Sequence, residues 1–461
     1  MAETGVKAKA SGRGGDIFSA IGAATGLGNA MRFPGLCARY GVGFLAVYAL
    51  CLVVVCLPIL AAELSLGAKF RAPFSGCVKR LAPKFGLLAR AAVVNAAFTG
   101  LYYGGVMIGT GSSALHAVGA DSSFSQGVVI SAVVWTAAYL LLRGGSSRLS
   151  RSGRLSLVCF MLAMVPVAVA GLGKFSFNLV VSAFFSGAVW TDALCQAMLS
   201  LSLAAGVMPA FAANMAEGGN PTSGALKIVS VNLAVCALGC IAVMPYGAVG
   251  GNGDGLSASG ELFPRIFAEV YGDAVSGRIC RFAAFAALTV VAVQSACSLM
   301  FPLVQEKAVV LPWICAAGFA LSPLLAKCPA LVGACDFIAC TVAAPIIAAF
   351  ECIMFAVTRR RFMRRGAAAF CIRFICPVCC ALAAAASLSG ARISPVGKWL
   401  LLIAVCILAS AAAIKILRAL TAGAMSGKME LWKRLKACAT HLRGEVSRHI
   451  RSLRAKRRSN S

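Results

Sequence analysis

An arginine, Arg32, lies inside the first apolar run of the chain, in the stretch GAATGLGNAMRFPG. A charged side chain within a membrane-spanning segment is costly and is usually functional. Gly26, Gly28 and Asn29 precede it and interrupt the helical pattern. A helix broken at membrane depth is tolerated where it faces protein or a water-filled cavity, because its free carbonyl and amide groups need partners. The stretch therefore predicts a site for ions or charged ligands, in preference to packing glycines in an ordinary span.

A matching interruption occurs in the sixth apolar run, in SLSLAAGVMP at residues 200–209. Ser202, Gly206 and Pro209 break the helical pattern there. Paired interruptions five runs apart predict two inverted five-helix repeats around a central binding site.

The elements that carry these breaks are predicted to be membrane helices. Hydrophobic residues make up 60% of the 461 residues and charged residues 13%, against about 45–50% and about 25% in soluble chains. This excludes soluble enzymes, disordered chains and fibrous proteins, and a single very apolar soluble core is disfavoured because the apolar runs repeatedly reach spanning length. The twelve runs lie at 16–38, 41–66, 88–115, 126–142, 156–173, 193–214, 224–249, 280–304, 308–326, 331–357, 368–389 and 397–417.

The charges alternate between the two sides of these runs. The chain has 43 Lys and Arg against 15 Asp and Glu, a net charge of +28. Basic residues gather before run one, after run twelve, and in the loops that follow runs two, four and ten. The loop after run four holds Arg143, Arg148, Arg151 and Arg154. All these segments share one side if every run spans, so the positive-inside rule places both termini in the cytoplasm.

Two segments outside the runs have an amphipathic pattern. Residues 255–275 predict a short helix over the outer mouth, with a simple connector as the alternative. The tail at 428–458 alternates apolar and basic residues at helical spacing, which favours an anionic lipid surface over nucleic acid as its partner. The 21 Cys and 3 His show no metal-ligand spacing and predict free thiols.

ATGLGNAMRFP in the first run and VWTDALCQAMLSLSL in the sixth resemble the signatures of the neurotransmitter:sodium symporter family, which includes the bacterial leucine transporter. The similarity covers roughly residues 10–415 and implies an all-α integral membrane fold of twelve transmembrane helices, with inverted five-helix repeats and broken helices 1 and 6. Further matches in order along the chain are Tyr48, Glu63, Tyr103, Asn232, Ser295, Pro302, Asp336 and Glu351.

The resemblance implies Na⁺ as a co-transported ion, bound at two sites. A hard cation prefers oxygen ligands, and every implied ligand offers one. The first site would combine the substrate carboxylate with groups of Ala24, Asn29, Ser200 and Asn232. The second would use groups of Gly22, Thr25, Val291, Gln294 and Ser295. Gln294 departs from the family, which has Thr, Ser or Asp at this position, and its side chain is longer.

The resemblance also places a substrate beside the first break. Amine-selective members carry an Asp there, and this chain has no acid in the break, which favours an amino acid with its own carboxylate. Leu199 and Ala205 stand where the bacterial leucine transporter has Phe, which favours a larger, apolar or aromatic amino acid. The implied substrate-binding residues are Ala23, Ala24, Leu27, Gly28, Thr99, Tyr103, Leu199, Ser200, Ser202, Ala205 and Leu299.

Arg32 and Asp336 match the family's outer gate, although a static ion pair would explain the same residues. The family's chloride site, with Cl⁻ as a second candidate ion, matches Tyr48, Gln196, Ser200, Asn232 and Cys236. Cys236 lies at the turn where chloride-independent members place a carboxylate. The inner gate departs from the family pattern at Lys7, Ala10 and Asn214.

The sequence as a whole predicts a sodium-coupled symporter that takes up a neutral, apolar or aromatic amino acid across the cytoplasmic (inner) membrane, and no enzyme. A degenerate member that senses substrate or conducts ions without coupling is the alternative. The predicted organisation is a cytoplasmic N-terminal segment at 1–15, an inverted-repeat core at 16–357, helices 11 and 12 at 358–417, and a basic cytoplasmic tail at 418–461.

Overall fold

Helices follow one another along the chain in the computed structural model, which describes residues 20–22, 24–121, 123–174, 184–215, 220–246, 255–358 and 366–389. Within these ranges the chain forms no strand. An apolar run in lipid becomes a helix because each backbone N–H and C=O group must find its partner within the same segment. The described residues all belong to one compact unit, Met1–Gly397.

Fourteen helices are used below, and nine of them, all in the described ranges, are long and apolar enough to cross a membrane. The nine are α2, α4, α5, α6, α9, α11, α12, α13 and α14. In chain order the helices are α1 (Phe33–Tyr40), α2 (Gly43–Phe70), α3 (Phe74–Leu81), α4 (Pro83–Ala117), α5 (Phe124–Arg143), α6 (Gly145–Lys174), α7 (Gly187–Ser200), α8 (Val207–Ala212), α9 (Pro221–Tyr246), α10 (Gly255–Tyr271), α11 (Val275–Glu306), α12 (Ala308–Lys327), α13 (Pro329–Val357) and α14 (Ala367–Leu388).

The nine long helices carry nine of the twelve predicted runs, and the first and sixth runs are the broken ones. The twelfth run, at 397–417, and the basic tail lie outside the described residues. The fold is therefore all-helical with many potential spans. The count of twelve and the inverted repeat remain predictions.

The first run is interrupted at Thr25 and Gly26 and continues as a π-helical turn, Gly28–Arg32, that leads into α1. The sixth run is interrupted between α7 and α8, where Ser202, Ala204 and Gly206 have φ values of 49°, 54° and 70°. The left-handed conformation costs a residue with a Cβ roughly 1–2 kcal/mol. It persists only where the surrounding structure fixes it.

The loop predicted after the fourth run is short, and this part of the prediction is wrong. α6 begins at Gly145, so Arg148, Arg151 and Arg154 lie on a helix. These three side chains are exposed, whereas Leu149, Ser150, Gly153 and Ser156 between them are buried. One packed face extends the helix beyond its apolar part, and the arginines occupy the other face.

Small residues let the central helices approach closely, as is common in membranes. A Cβ on Gly22, in the first run, would lie 2.5 Å from the Cα of Gly153 in α6. A Cβ on Gly104 in α4 would lie 1.9 Å from Oγ of Ser322 in α12. These contacts hold the first run against α6, and α4 against α12.

The predicted outer helix is present as α10, and it packs against α1. Leu262, Ile266 and Phe267 are buried as the pattern indicates, and Phe263 is buried beside them. α10 therefore covers the outer half of the first broken run. All 19 cysteines in the described part of the chain are free thiols.

Candidate functional site

The carbonyl of Ala24, freed by the first break, collects two side-chain amides. Nδ2 of Asn29 donates to it at 2.8 Å, and Nδ2 of Asn232 in α9 donates at 2.7 Å. Asn29 reaches its carbonyl over five residues because the interruption removes the backbone N–H that an intact helix would supply. The break thus brings residues 24, 29 and 232 to one point.

The Tyr48 hydroxyl in α2 joins this point to the sixth run. It donates to Oδ1 of Asn232 at 2.6 Å and shares a hydrogen bond with Oγ of Ser200 at 2.7 Å. Sγ of Cys236 lies 3.3 Å from the same hydroxyl. All four residues implied for the first sodium site therefore belong to one buried network with Tyr48 at its centre.

One oxygen of this network has no partner in the described structure. Oδ1 of Asn29 is buried and accepts no hydrogen bond, although leaving a buried acceptor unsatisfied costs about 1–3 kcal/mol. The network offers oxygen atoms of Ala24, Asn29, Ser200 and Asn232, which suit a hard cation. A cation such as Na⁺ would satisfy the unpaired oxygen, so the residues present fit a cation site.

Among the residues implied for the second sodium site, Ser295 lies against the first break, and the side-chain oxygen of Gln294 is already engaged by another residue. Ser295 lies against the first break, since a Cβ on Gly26 would come within 2.5 Å of its Oγ. The Thr25 hydroxyl donates to the Ile21 carbonyl at 2.9 Å. Gln294, however, directs its amide to α6, where Oε1 accepts from Oγ of Ser152. Val291 is buried on α11 with them.

Most of the implied substrate residues are buried, and they come from several helices. Thr99 and Tyr103 on α4 are buried, as are Leu27, Ser202, Ala205 and Leu299, while Leu199 is half-buried. A Cβ on Gly28 would lie 3.6 Å from Cγ of Leu199, which places the first break against α7. Ala23 lies outside the described residues.

Arg32 and Asp336 form a direct ion pair, with Nε of the arginine 3.1 Å from Oδ2. The two side chains are 5% and 1% exposed. Arg32 also donates to Oε1 of Gln196 at 3.0 Å and to Oγ1 of Thr341 at 3.4 Å. Tyr102 donates to the other oxygen of Asp336 at 2.9 Å. The pair thus ties the first run to α4, α7 and α13.

Gln196 connects this ion pair to the first break. Its Oε1 accepts from Arg32, and its Nε2 donates to the Gly28 carbonyl at 2.8 Å. Of the other residues implied for chloride, Ser200, Asn232 and Cys236 gather around Tyr48, while Gln196 is engaged with the arginine and the break.

A buried carboxyl holds the sixth-run break. Oε1 of Glu63 in α2 accepts the backbone N–H of Ala204 at 2.8 Å, and Glu63 has no exposed surface. Ala204 is one of the left-handed residues, so this hydrogen bond stabilises backbone that would otherwise be strained. The sequence singled out Glu63 but gave it no role.

The contacts around the predicted inner gate differ from the family pattern. Nδ2 of Asn214, just after α8, donates to the Ala210 carbonyl at 3.0 Å. Oε1 of Glu306, at the end of α11, accepts from the backbone N–H of Ser75 at 3.0 Å. Arg71 donates to the Met215 carbonyl at 3.0 Å. Lys7 and Ala10 lie outside the described residues.

Three partners of the site residues escaped sequence reasoning. Tyr102 is adjacent to the predicted Tyr103, and successive residues of a helix point in different directions, which lets one of them reach Asp336. Thr341 and Ser152 carry no sequence signal, because they act through helix contacts between distant parts of the chain.

Comparisons with known proteins relate the first part of this chain to membrane transporters. Residues 9–118 match the Sodium:neurotransmitter symporter family. The sodium- and chloride-dependent transporter XTRP3A of Mus musculus is 39% identical over 88 residues, which are 19% of this chain and 15% of the relative. The sodium-dependent neutral amino acid transporter B(0)AT2 of Rattus norvegicus is 38% identical over 94 residues, which are 20% of this chain and 13% of the relative.

The similarity to solved structures extends much further than these short matches. The crystal structure of MhsT in complex with L-phenylalanine superposes with a TM-score of 0.65 and 20% identity, over 82% of this chain and 99% of that chain. This likeness shows the fold, and the family match covers the first break and α2 to α4. The first part of the chain is therefore similar to the sodium:neurotransmitter symporter family, and the chain matches only 13–15% of the length of these two curated relatives.

Proposed function

We propose that this protein is a symporter that couples inward Na⁺ movement to the uptake of a neutral, apolar or aromatic amino acid. The observation that carries the proposal is the buried network around the Ala24 carbonyl, in which Oδ1 of Asn29 is unsatisfied. A bound Na⁺ would complete that cluster, and a substrate carboxylate beside it would balance the charge.

The surroundings of the breaks favour an amino acid as the substrate. The first break contains no acidic side chain to hold an amine. The wall contributed by Leu27, Leu199, Ala205 and Leu299 is apolar. A relative is named as a neutral amino acid transporter, and the matched solved structure holds L-phenylalanine. These features together support a neutral amino acid with a sizeable apolar side chain.

The proposal includes the arrangement of the chain in the membrane. The described part of the chain has nine helices that could span a membrane, which makes this a multi-pass membrane protein. We propose the cytoplasmic membrane with both termini inside, a transport core at 16–357, two further helices at 358–417, and tail contacts with anionic lipid at 418–461. The alternation of basic segments supports this sidedness.

A thermal-shift screen of the twenty amino acids, with Na⁺ or choline as the cation, tests the function. We expect apolar amino acids to raise the melting temperature only in Na⁺. Binding stabilises by RT ln(1 + [L]/Kd), about 2.7 kcal/mol at a hundredfold excess over Kd. Stabilisation that is equal in choline, or confined to charged amino acids, would contradict the proposal.

A transport measurement distinguishes the symporter from the uncoupled alternative, which is a sensor or an ion conductor. The altered cytoplasmic contacts of Asn214 and Glu306 are the observation that favours a sensor or an ion conductor. In proteoliposomes, a symporter exchanges internal for external labelled amino acid in the presence of Na⁺. A sensor binds without exchange, and a conductor passes Na⁺ without amino acid.

We also propose that Cl⁻ stimulates transport. Before the substrate carboxylate arrives, and after it leaves, a Na⁺ among the neutral groups of Tyr48, Ser200 and Asn232 is an unbalanced positive charge in a low-dielectric region, which is costly. Cys236 lies 3.3 Å from the Tyr48 hydroxyl, so a carboxylate at that position would sit in the same cluster. We expect uptake to fall when gluconate replaces chloride, and Cys236→Glu to reduce that dependence.

Cys236→Gln is the matched control, because it has the same size as the glutamate variant without its charge. It should keep the chloride dependence of the wild type. Equal wild-type rates in chloride and gluconate would contradict the chloride site.

A further inference from the structure

Both ends of the Gln294 amide are bound within the protein. Oε1 accepts from Oγ of Ser152, and Nε2 donates to the Leu149 carbonyl at 3.2 Å and to Oγ of Ser298 at 3.3 Å. These bonds use both N–H groups of the amide and one acceptor position of its oxygen. The side chain is 1% exposed. Gln294 is therefore a satisfied buried link from α11 to α6.

The nitrogen of this amide lies where three segments meet. A Cβ on Gly153 of α6 would be 3.0 Å from the Cα of Gly22 in the first run and 3.4 Å from Nε2 of Gln294. The oxygen of the amide is farther from that point and is directed to Ser152. The end that lies nearest to Gly22 thus carries N–H groups, whose positive partial charge repels a cation.

The backbone at this junction is also closely packed. A Cβ on Gly22 would lie 2.5 Å from the Cα of Gly153, and a Cβ on Gly26 would lie 2.5 Å from Oγ of Ser295. To turn its oxygen toward Gly22, Gln294 would have to give up its bonds to Ser152 and Leu149. Buried polar groups left without partners in this way are costly.

The hydrogen bonding of the Gln294 amide is the opposite of that in the cluster around Ala24. Around Ala24 a buried oxygen lacks a partner, and a cation would satisfy it. At Gln294 every N–H is already paired with an oxygen, and a cation would disrupt those pairs. The residues at the second position therefore do not fit Na⁺.

We infer that the Gln294 amide takes the place of a second sodium ion, so that the protein binds and couples one Na⁺ per substrate. This inference rests on the proposed symport function. The amide cross-links α6 and α11 through neutral hydrogen bonds at the point where α6 packs against the first run, where an ion would join the segments by coordination. That link does not depend on the Na⁺ concentration, so the Na⁺ gradient drives uptake through the Ala24 cluster alone.

The direct test counts sodium ions on the purified full-length protein. Equilibrium binding of radioactive Na⁺ is measured with saturating L-phenylalanine as the probe amino acid. We expect one Na⁺ per chain. Two would overturn the single-site inference and leave the proposed function standing, whereas none would overturn both.

Two variants whose new side chains have the same shape test whether Gln294 determines the number of bound Na⁺. Gln294→Thr supplies a hydroxyl oxygen and removes the amide, while Gln294→Val fills the same space without an oxygen. We expect two bound Na⁺ in the threonine variant and one in the valine variant. Equal counts in two folded variants would overturn the role given to Gln294.

Accumulation in proteoliposomes gives an independent reading on the wild type, which needs no variant to fold. With the membrane voltage clamped at zero, a tenfold inward Na⁺ gradient supports about tenfold accumulation of L-phenylalanine for one coupled ion and about a hundredfold for two. Wild-type accumulation that follows the square of the Na⁺ gradient would contradict the inference.

Discussion

Asp336→Asn is expected to lower amino-acid uptake by about two orders of magnitude. The change removes the charge that balances Arg32, whose other two side-chain partners, Gln196 and Thr341, are neutral. Breaking a buried ion pair by removing one partner costs about 3–5 kcal/mol, because the remaining charge is left uncompensated. Uptake into proteoliposomes measures the loss.

Tyr102→Phe is the matched control for this substitution. It removes one hydrogen bond to Asp336 and leaves the ion pair intact, so its effect should be smaller, on the order of tenfold. A hydrogen bond to a charged group contributes about 1.5–3 kcal/mol, below the cost of about 3–5 kcal/mol for an unpaired buried charge. Equal losses in the two variants would contradict the importance of the charge.

A second measurement separates a gate from a static brace. Cys340 is buried beside the pair, with Sγ 3.2 Å from the Tyr102 hydroxyl. If the pair closes the outer path, Asp336→Asn should make Cys340 react faster with a water-soluble maleimide, as followed by peptide mass spectrometry. Lower thermal stability with unchanged Cys340 labelling would instead identify a brace.

The sequence was sufficient for the elements whose signal is local. The break at Gly26 and the break between α7 and α8 follow from glycine, serine and proline inside apolar runs. The amphipathic pattern of α10 likewise predicted its buried side chains Leu262, Ile266 and Phe267. The start of α6 was missed because its arginines resemble a loop, and only packing against the first run shows that one face is buried.

What the sequence could not give is the direction of side chains that have two possible partners. Gln294 has an oxygen that suits a sodium ligand, and only the positions of Ser152 and Leu149 show that it is engaged elsewhere. Gln196 matches a chloride pattern, yet it bonds to Arg32 and the Gly28 carbonyl. Both outcomes depend on helices that are distant in sequence.

Asn29→Ala and Asn232→Ala are each expected to lower the affinity for Na⁺ and the affinity for substrate together, by about 5–150-fold. Both side chains donate to the Ala24 carbonyl, Oδ1 of Asn29 is buried without a partner in the described structure, and Oδ1 of Asn232 accepts from Tyr48 in the same network. If the ion and the substrate carboxylate share this position, their coupling free energy is reciprocal, so losing one ligand's site lowers the affinity for the other by the same factor. Substrate affinity measured across a Na⁺ series gives both quantities.

Asn95→Ala provides the comparison within the same protein. Asn95 in α4 also donates to the backbone carbonyl of another segment, Ala339, at 3.0 Å, but it lies outside the cluster. Its loss should lower thermal stability and leave the Na⁺ dependence of substrate binding unchanged. An Asn29→Ala protein that binds substrate more weakly by one constant factor at every Na⁺ concentration would behave like this control. That result would remove Asn29 from the sodium site, because a ligand of the ion must alter the linkage between the two affinities and not only the affinity itself.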